Sequence, residues 1–252
     1  VDNLFFLARD SFVWYRMALR LRHLFLGMNF HYLYISRKAV FVSCLYDLSD
    51  YELELVFSDT IGYTPRQLLS SLALEEDEML QAFCADELDE PLDSGKRVRF
   101  YDRIRSSSLA KILLEKSGEA RRLLLSYLRQ EGFLGSEKPG IVDIGWKGNT
   151  NRVLNYILRR EEDTNAYLSF FLGVKETRHP IASIGDYEAG YYFEDYLDEP
   201  EYAYNLFALV YVLENYFSAS DDTTLSRYRE EDGTIYPEFS PGIISDASKE
   251  KN

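Results

Sequence analysis

Cysteine, histidine and methionine are scarce in this chain of 252 residues, which contains two Cys and three Met. Cys44 and Cys84 show neither metal-ligand spacing nor the pattern of a disulfide scaffold. We therefore expect two buried, reduced thiols. The histidines, His23, His31 and His179, form no HExxH motif, which argues against a zinc enzyme.

Positive charge is scarce as well. The chain contains 28 Lys and Arg against 42 Asp and Glu, which gives a formal net charge of −14. This balance opposes binding to nucleic acid or to anionic membranes through any broad positive field. No apolar run approaches the roughly 20 residues that span a bilayer, so we expect no membrane span and a cytoplasmic location. A small polyanionic ligand would need the few cations to be concentrated locally.

The rest of the composition is that of a globular protein, with 46% hydrophobic and 28% charged residues. The chain begins at Val1 without a methionine and enters an apolar run at Leu4, which indicates a domain cut from a longer polypeptide. We expect one α/β domain over residues 1–225, with a helical insertion around residues 47–130. Residues 226–252 are predicted to form an irregular tail.

Apolar strands alternate with helices along the chain. Strands are predicted at residues 4–8, 32–35, 141–144 and 166–174, with an aromatic strand at 187–196 for which an antiparallel orientation stays open. Helices are predicted at residues 12–21, 107–130, 151–160 and 203–217, and Thr64 followed by Pro65 marks a further helix start. This alternation predicts a mostly parallel twisted sheet flanked by helices.

Polar turns follow three of these strands. The first turn contains Arg9, Asp10 and Ser11, the second Ser36, Arg37 and Lys38, and the third Gly145, Trp146, Lys147, Gly148, Asn149 and Thr150, directly after Asp143 and Ile144. Because ligands bind beyond the carboxyl ends of parallel strands, we expect the three turns to share one site. The third turn is typical of a phosphate cradle, since its glycines allow close backbone approach and a helix start offers unpaired amides. The alternative is an ordinary strand-to-helix turn capped by Asn149 or Thr150.

Arginine side chains are the best phosphate ligands in the first two turns. Arg9 and Arg37 can each bind a pair of phosphate oxygens in bidentate fashion, which a lysine cannot do. Asp143, at a strand end beside a phosphate loop, suits sugar hydroxyls. The alternative is that both turns are ordinary surface turns, in which Asp10 pairs with Arg9 or Arg16.

At these residues the sequence resembles the phosphoribosyltransferase fold. Those enzymes carry an apolar strand that ends in an acid and leads into a five-residue loop for the 5-phosphate of phosphoribosyl pyrophosphate (PRPP). Residues 141–145 followed by 146–150 match this pattern, with Ile144 where the family usually has a second acid. Residues 6–11 resemble the family's earlier pyrophosphate loop, and the order of the two loops agrees.

A longer resemblance covers most of the chain. It is similar to the domain that follows a haloacid-dehalogenase-like module in bacterial capsule and O-antigen polysaccharide-assembly proteins. The similarity rests on residues 6–10, 32–39, 62–64, 127–130, 142–146 and 213–219. The DxDx[TV] nucleophile pattern of the hydrolase module does not follow any predicted strand, so the resemblance implies a phosphatase in an adjacent domain.

Together the resemblances imply a glycosyl phosphoribosyltransferase. It would transfer 5-phosphoribofuranosyl from PRPP to a hydroxyl of a glycan acceptor and release pyrophosphate. The implied ligands are Asp143 for ribose, the turn from Gly145 to Thr150 for the 5-phosphate, and Arg9, Ser11, Ser36, Arg37 and Lys38 for pyrophosphate. Asp10 is the first candidate for the base that accepts the hydroxyl proton, and Glu214 the second. The implied cofactor is Mg²⁺, bound mainly through pyrophosphate and without a dedicated protein site.

Two other functions stay open at this point. A nucleotide-sugar glycosyltransferase would bind a base and a diphosphate over the same sheet edge. Trp14, Trp146 or the pair Tyr191 and Tyr192 could stack on an acceptor sugar. A non-catalytic docking module of a polysaccharide-assembly enzyme would instead present the acidic residues 75–93 to a partner.

Overall fold

A five-stranded parallel sheet forms the centre of the molecule. The computed structural model describes residues 1–57, 62–146, 148–161, 167–175, 189–195 and 224–240. The strands are β1 (Asn3–Leu7), β2 (Asn29–Leu33), β3 (Pro139–Trp146), β4 (Leu168–Lys175) and β5 (Ala189–Asp195), in the order β2-β1-β3-β4-β5. Every neighbouring pair is parallel, so the predicted α/β class with a parallel sheet is confirmed. The antiparallel orientation left open for the aromatic strand is wrong, because β5 runs parallel to β4.

Helices flank this sheet. Their bounds are α1 (Phe12–Arg20), α2 (Arg37–Val42), α3 (Asp50–Phe57), α4 (Pro65–Ser71), α5 (Glu76–Met79), α6 (Ala85–Leu88), α7 (Ser94–Ser106), α8 (Leu109–Gln130) and α9 (Asn149–Glu161), with a 3₁₀ turn at Arg22–Leu24. The helix predicted at residues 203–217 lies outside the described residues. Within the part of the chain that the structure describes, no helix is both long and apolar enough to cross a bilayer.

The start of α4 forms as the sequence predicts. The Thr64 hydroxyl accepts a hydrogen bond from the Gln67 N–H at 3.3 Å, and the Gln67 side chain accepts one from the Thr64 N–H at 3.0 Å. Pro65 occupies the first helical position, where its missing N–H costs nothing. This capping box satisfies two of the amides that a helix start leaves without partners.

The two faces of the sheet are covered differently. Alternate residues of a strand point to opposite faces, and Phe5 and Leu7 of β1 belong to the main core together with Leu33 of β2 and Ile141 of β3. Helices α2, α8 and α9 pack together in that core. The other face carries α1, which contacts β1 and β2. None of the residues of α1 is fully buried.

A β-hairpin replaces part of the predicted tail. Strands β6 (Leu225–Glu231) and β7 (Thr234–Phe239) pair antiparallel around Asp232 and Gly233, whose φ angles are 50° and 76°. A two-residue turn with two positive φ angles is the connection that suits the twist of a hairpin, and Asp-Gly is a preferred sequence for it. The prediction of an irregular tail is therefore wrong over residues 226–239, while residues 241–252 lie outside the described part.

The two cysteines differ in their surroundings. Cys44 is buried, as expected, and burial raises the pKa of its thiol. Cys84 precedes α6 and is exposed, so the prediction of a buried thiol is wrong there. The reason is local, because Cys84 occupies the N-cap position of a four-residue helix at the surface, where the Glu87 side chain accepts a hydrogen bond from its N–H at 3.0 Å.

Candidate functional site

The register of the sheet brings the three predicted turns to one edge. In the parallel ladder Leu7 of β1 pairs with Leu33 of β2, and Phe6 pairs with Val142 of β3. The residues that follow these pairs therefore emerge side by side. They line a cavity of about 230 Å³, which we call the edge cavity, to which the predicted site contributes Arg9, Asp10, Ser36, Arg37, Asp143 and Thr150.

Asp143 is held at this edge by a buried amide. The Asn151 side chain donates a hydrogen bond to Asp143 Oδ2 at 3.2 Å. Asn151 is fully buried in the first turns of α9, where its backbone carbonyl oxygen accepts a hydrogen bond from the Tyr167 hydroxyl at 2.8 Å. The Ser169 hydroxyl donates to the Asn151 side-chain oxygen at 3.4 Å, which leaves the amide nitrogen to face the carboxylate. Asn151 thus orients Asp143, a role that the sequence pattern did not indicate.

Asp10 is the second carboxylate of the edge cavity. Burial raises the pKa of its carboxyl above the ordinary value, and the positive charges of Arg9 and Arg37 oppose this shift. The two arginines come from different turns, and the positive charge of each lowers the pKa of the Asp10 carboxyl. An acid with a raised pKa beside two cations is suited to receive a proton.

The hydroxyls of Ser11 and Ser36 form internal hydrogen bonds. Ser11 is fully buried and donates to the Val142 carbonyl at 2.9 Å, which ties the turn after β1 to β3. Ser36 caps α2 by accepting from the Ala39 N–H at 3.1 Å, and it donates to the Leu225 carbonyl at 2.8 Å. Both side chains therefore fix the shape of the turns that carry the arginines.

The third turn begins α9 as predicted. Gly148 has a φ of 61°, a conformation that favours glycine, and its carbonyl accepts the first helical hydrogen bond from the Arg152 N–H at 2.9 Å. Asn149 begins α9, and Thr150 in its first turn lines the edge cavity. The backbone of Gly145 and Trp146 belongs to the end of β3.

Among the described residues of the predicted site, Ser11, Lys38, Gly148 and Asn149 do not line the edge cavity. Lys38 lies next to Arg37 in α2 but outside the residues that line the edge cavity. Lys147 and Glu214 lie outside the described residues, so their predicted roles stay predictions.

The hairpin and α8 hold the turn after β2 in place, which the sequence analysis missed. The Tyr34 N–H donates to the Tyr127 hydroxyl at 3.1 Å, and the Tyr228 hydroxyl donates to the Tyr34 carbonyl at 2.7 Å. The rings of Tyr127 and Tyr228 stack with centroids 4.8 Å apart. Leu225 and Phe239 of the hairpin complete the wall of the edge cavity. The Asp-Gly pair between two strand-like runs was the available signal for the hairpin.

A second cavity of about 350 Å³ lies on the α1 face of the sheet, and Asp143 lines this cavity too. Its other lining is apolar and aromatic, including Trp14 of α1, Phe30 of β2 and Phe170 of β4. We call it the aromatic cleft. Of the residues proposed to stack on an acceptor sugar, Trp14 therefore lies next to the candidate site. The side chains of Trp146, Tyr191 and Tyr192 lie outside the described part.

The described carboxylates of the edge cavity are too few to hold a magnesium ion by themselves. Among the described residues no group of three or more His, Cys, Asp or Glu side chains is arranged to hold a metal ion. Asp10 and Asp143 are the carboxylates of the described edge-cavity lining. Mg²⁺ commonly takes one or two carboxylates and completes its shell with phosphate oxygens and water, so this pair fits an ion that arrives with a polyphosphate.

Comparison with family models and with curated proteins gives no relative to guide the assignment. No protein-family model matches the chain, and a search of curated proteins finds no significant match. The geometry of the edge cavity therefore carries the functional assignment.

Proposed function

We propose that this chain is a glycosyl phosphoribosyltransferase, which transfers 5-phosphoribofuranosyl from PRPP to a hydroxyl of a glycan and releases pyrophosphate. We propose further that the domain is phosphoribosyltransferase-like, with the helices between α2 and β3 as its insertion, and that it acts in the synthesis of bacterial surface polysaccharide. The single observation that carries the proposal is the edge cavity, in which two arginines, two carboxylates and the start of α9 meet at the carboxyl ends of parallel strands.

Each part of PRPP has a matching group at this edge. The start of α9 offers backbone amides and the positive end of a 13-residue helix to the 5-phosphate. Asp143, oriented by Asn151, accepts hydrogen bonds from ribose hydroxyls. Arg9 and Arg37 carry the charge that a pyrophosphate needs, in a chain that is acidic overall.

The reaction breaks one bond and forms one. The bond between C1 of the ribose and a pyrophosphate oxygen breaks with its electron pair staying on pyrophosphate, and the glycan oxygen forms a bond to C1. Positive charge develops at C1 during this exchange, so orientation and charge stabilisation matter more than a strong nucleophile. Arg9 and Arg37 stabilise the departing pyrophosphate. Asp10 accepts the proton of the glycan hydroxyl, and its raised pKa favours that step.

Magnesium would be held by Asp143 or Asp10 together with pyrophosphate oxygens, and it would supply charge neutralisation of the leaving group. The protein residues perform the remaining tasks of binding, orientation and proton acceptance.

The aromatic cleft supports the acceptor side of the proposal. Sugar rings present apolar faces that pack on aromatic side chains, and Trp14, Phe30 and Phe170 provide such surfaces. Because Asp143 lines both cavities, an acceptor in the cleft lies next to a ribose in the edge cavity. This arrangement favours a transferase with two adjacent subsites.

Thermal melts of the full chain with PRPP and Mg²⁺, with a UDP-sugar and Mg²⁺, and with Mg²⁺ alone test the proposal. A ligand that binds only the folded protein stabilises it by about 2.7 kcal/mol at a hundredfold excess over its dissociation constant, so PRPP should raise the melting temperature clearly. Arg9→Ala should lose this response, whereas Lys111→Gln, at an exposed position of α8, should keep it. Stabilisation by the UDP-sugar alone would instead support a nucleotide-sugar glycosyltransferase.

Activity requires a second assay. Transfer to a glycan acceptor is measured by mass spectrometry as the addition of one phosphopentosyl group, with release of one pyrophosphate. Asp143→Asn and Arg9→Ala are expected to abolish transfer while their folds stay intact. Wild-type turnover by both variants would refute the assignment of the site.

A further inference from the structure

The acidic charge of the chain is distributed unevenly. Residues 11–46 contain five Lys or Arg and no Asp or Glu, although the whole chain contains 28 and 42 of these residues. At the average frequency of one acid in six residues, about six acids would be expected in a segment of this length. The formal charge of this segment is therefore +5 in a chain whose net charge is −14.

The same segment contains a cluster of exposed large apolar side chains. The positions concerned run from the outer side of α1 through the 3₁₀ turn to the bend before β2. They are Met17, Leu19, Leu21, Leu24, Phe25 and Leu26, which we call the α1 patch. Leu24 and Leu26 are 65% and 89% exposed. These six account for half of the twelve large apolar side chains that are exposed among the described residues, and such clustering marks an interaction surface.

The inward side of α1 explains why the patch points outward. Phe12 packs edge-on against Tyr32, and Tyr15 stacks on Tyr32 at a centroid distance of 5.3 Å. These contacts fix one side of α1 against the sheet. Residues 16, 17, 19 and 20 are then exposed on the other side, followed by an unbroken exposed stretch over residues 21–27.

Three arginines are interleaved with the α1 patch. Arg16, Arg20 and Arg22 are exposed, and no carboxylate of the described residues forms an ion pair with them. Arg16 lies over the Phe12 ring at 5.8 Å. Long basic side chains beside exposed leucines can place their methylene stems along an apolar phase while the guanidinium groups stay at its polar boundary.

We propose that the α1 patch with Arg16, Arg20 and Arg22 docks on the surface of an anionic lipid bilayer. Exposed apolar and basic side chains together on one short helix and turn are typical of an interfacial membrane-binding surface. Each basic residue near an anionic surface contributes a roughly fivefold gain in affinity. The opposing net charge of the chain does not prevent this, because charges more than about 10 Å from the surface are screened at ordinary ionic strength.

A second copy of this chain fits the patch less well. In a symmetric dimer the same residues of both copies face each other, so six arginines would meet without described carboxylates between them. The bilayer offers the complementary charge that a second copy lacks. Leu21 and Phe25 at the border of the α1 patch also line the aromatic cleft, but the inference does not require the proposed transferase activity.

Flotation of the full chain with lipid vesicles tests the proposal. Vesicles of phosphatidylcholine with about one third phosphatidylglycerol provide the anionic surface, and vesicles of phosphatidylcholine alone are the comparison. We expect binding to the anionic vesicles, at least tenfold weaker binding to the neutral ones, and loss of binding at high salt. Absence of binding to the anionic vesicles, or equal binding to both kinds, would overturn the proposal.

Variants separate the two components of the surface. Arg16→Gln, Arg20→Gln and Arg22→Gln combined should weaken binding on the order of 100-fold, and Leu24→Ser with Leu26→Ser at least tenfold. The matched control is Leu80→Ser with Lys111→Gln, which changes one exposed apolar and one exposed basic residue elsewhere and should bind as wild type does. Wild-type flotation by the arginine variant overturns the proposal. The proposal is also overturned if the wild-type chain does not float with vesicles but forms a dimer in light scattering that Leu24→Ser dissociates, because the α1 patch would then bind protein.

Discussion

Replacement of Gln130 by alanine should release the β6–β7 hairpin from the body of the protein. The Gln130 side chain, at the end of α8, donates to the Ile235 carbonyl at 3.0 Å and accepts from the Ile235 N–H at 2.8 Å. Ile235 is only 4% exposed, so the variant leaves two shielded backbone groups without their partners. Each such loss costs about 1–3 kcal/mol, and we expect a total of roughly 2–4 kcal/mol because water can enter the space left by the side chain.

The loss should appear first as local opening of the hairpin. The hairpin's remaining described anchors include the Tyr228–Tyr34 and Ser36–Leu225 hydrogen bonds and the exposed Arg122–Glu230 ion pair. Of these, the exposed pair contributes about 1 kcal/mol at most. Amide hydrogen exchange of residues 225–239, measured by mass spectrometry, should accelerate on the order of 100-fold. PRPP affinity should fall as well, because Leu225 and Phe239 line the edge cavity.

Tyr236→Ser is the control, since Tyr236 lies in the same strand but is 43% exposed. That variant should stay within about 0.5 kcal/mol of the wild type in urea unfolding. Unchanged hydrogen exchange in Gln130→Ala would refute the view that this amide anchors the hairpin.

Three further variants test separate parts of the account. Asp10→Asn should abolish transfer, yet near neutral pH it should melt at a higher temperature than the wild type. The raised pKa of Asp10 means that ionisation of its carboxyl opposes folding once the pH rises above the ordinary carboxyl pKa. Melts in strong acid should show no such gain, and a lower melting temperature of the variant at neutral pH would contradict the reasoning. Asn151→Ala removes the amide that holds Asp143 and should weaken PRPP binding roughly tenfold, whereas Asn155→Ala, one turn later in α9, should leave the affinity unchanged. Glu52→Ala should lower the free energy of unfolding in urea by about 3–5 kcal/mol. The reason is that the fully buried carboxylate accepts hydrogen bonds from the N–H groups of residues 46–48 and from the Tyr156 hydroxyl. A loss below about 1 kcal/mol would contradict that role.

The coarse fold follows from the sequence because its signals are local. Strands bounded by polar turns and helices with periodic apolar residues predicted the parallel α/β sheet, and Thr64 with Pro65 predicted the start of α4. The convergence of the turns with Arg9, Arg37 and Asp143 also followed, because parallel strands place their carboxyl ends at one edge.

The parts that the sequence analysis missed depend on contacts between distant residues. Asn151 orients Asp143 only because Tyr167 and Ser169 satisfy its oxygens, and the spacing along α9 does not reveal those partners. The hairpin is a different case, since Asp232 and Gly233 carried a local signal that was outweighed by the polar composition of the tail. The net charge is an average over the whole chain, and it conceals a segment of 36 residues without a single acid.

Tyrosines explain much of the precision of the edge cavity. The Tyr127 hydroxyl and the Tyr228 hydroxyl bind the N–H and the carbonyl of Tyr34, and Tyr34 lies two residues before Ser36, the N-cap of the helix that Arg37 begins. The position of a phosphate-binding arginine thus depends on α8 and on the hairpin, although neither contributes a charged group to the site. Support of this kind is what keeps a binding group within a fraction of an ångström of its productive position.

Titration calorimetry of PRPP into the full chain, with Mg²⁺ present, tests the central claim most directly. The account predicts that one PRPP binds per chain and that Asp143→Asn binds it at least tenfold more weakly, since each lost hydrogen bond to a charged group costs about 1.5–3 kcal/mol. No binding by the wild-type chain, or equal affinity of the wild type and Asp143→Asn, would contradict the assignment of the edge cavity as a PRPP site.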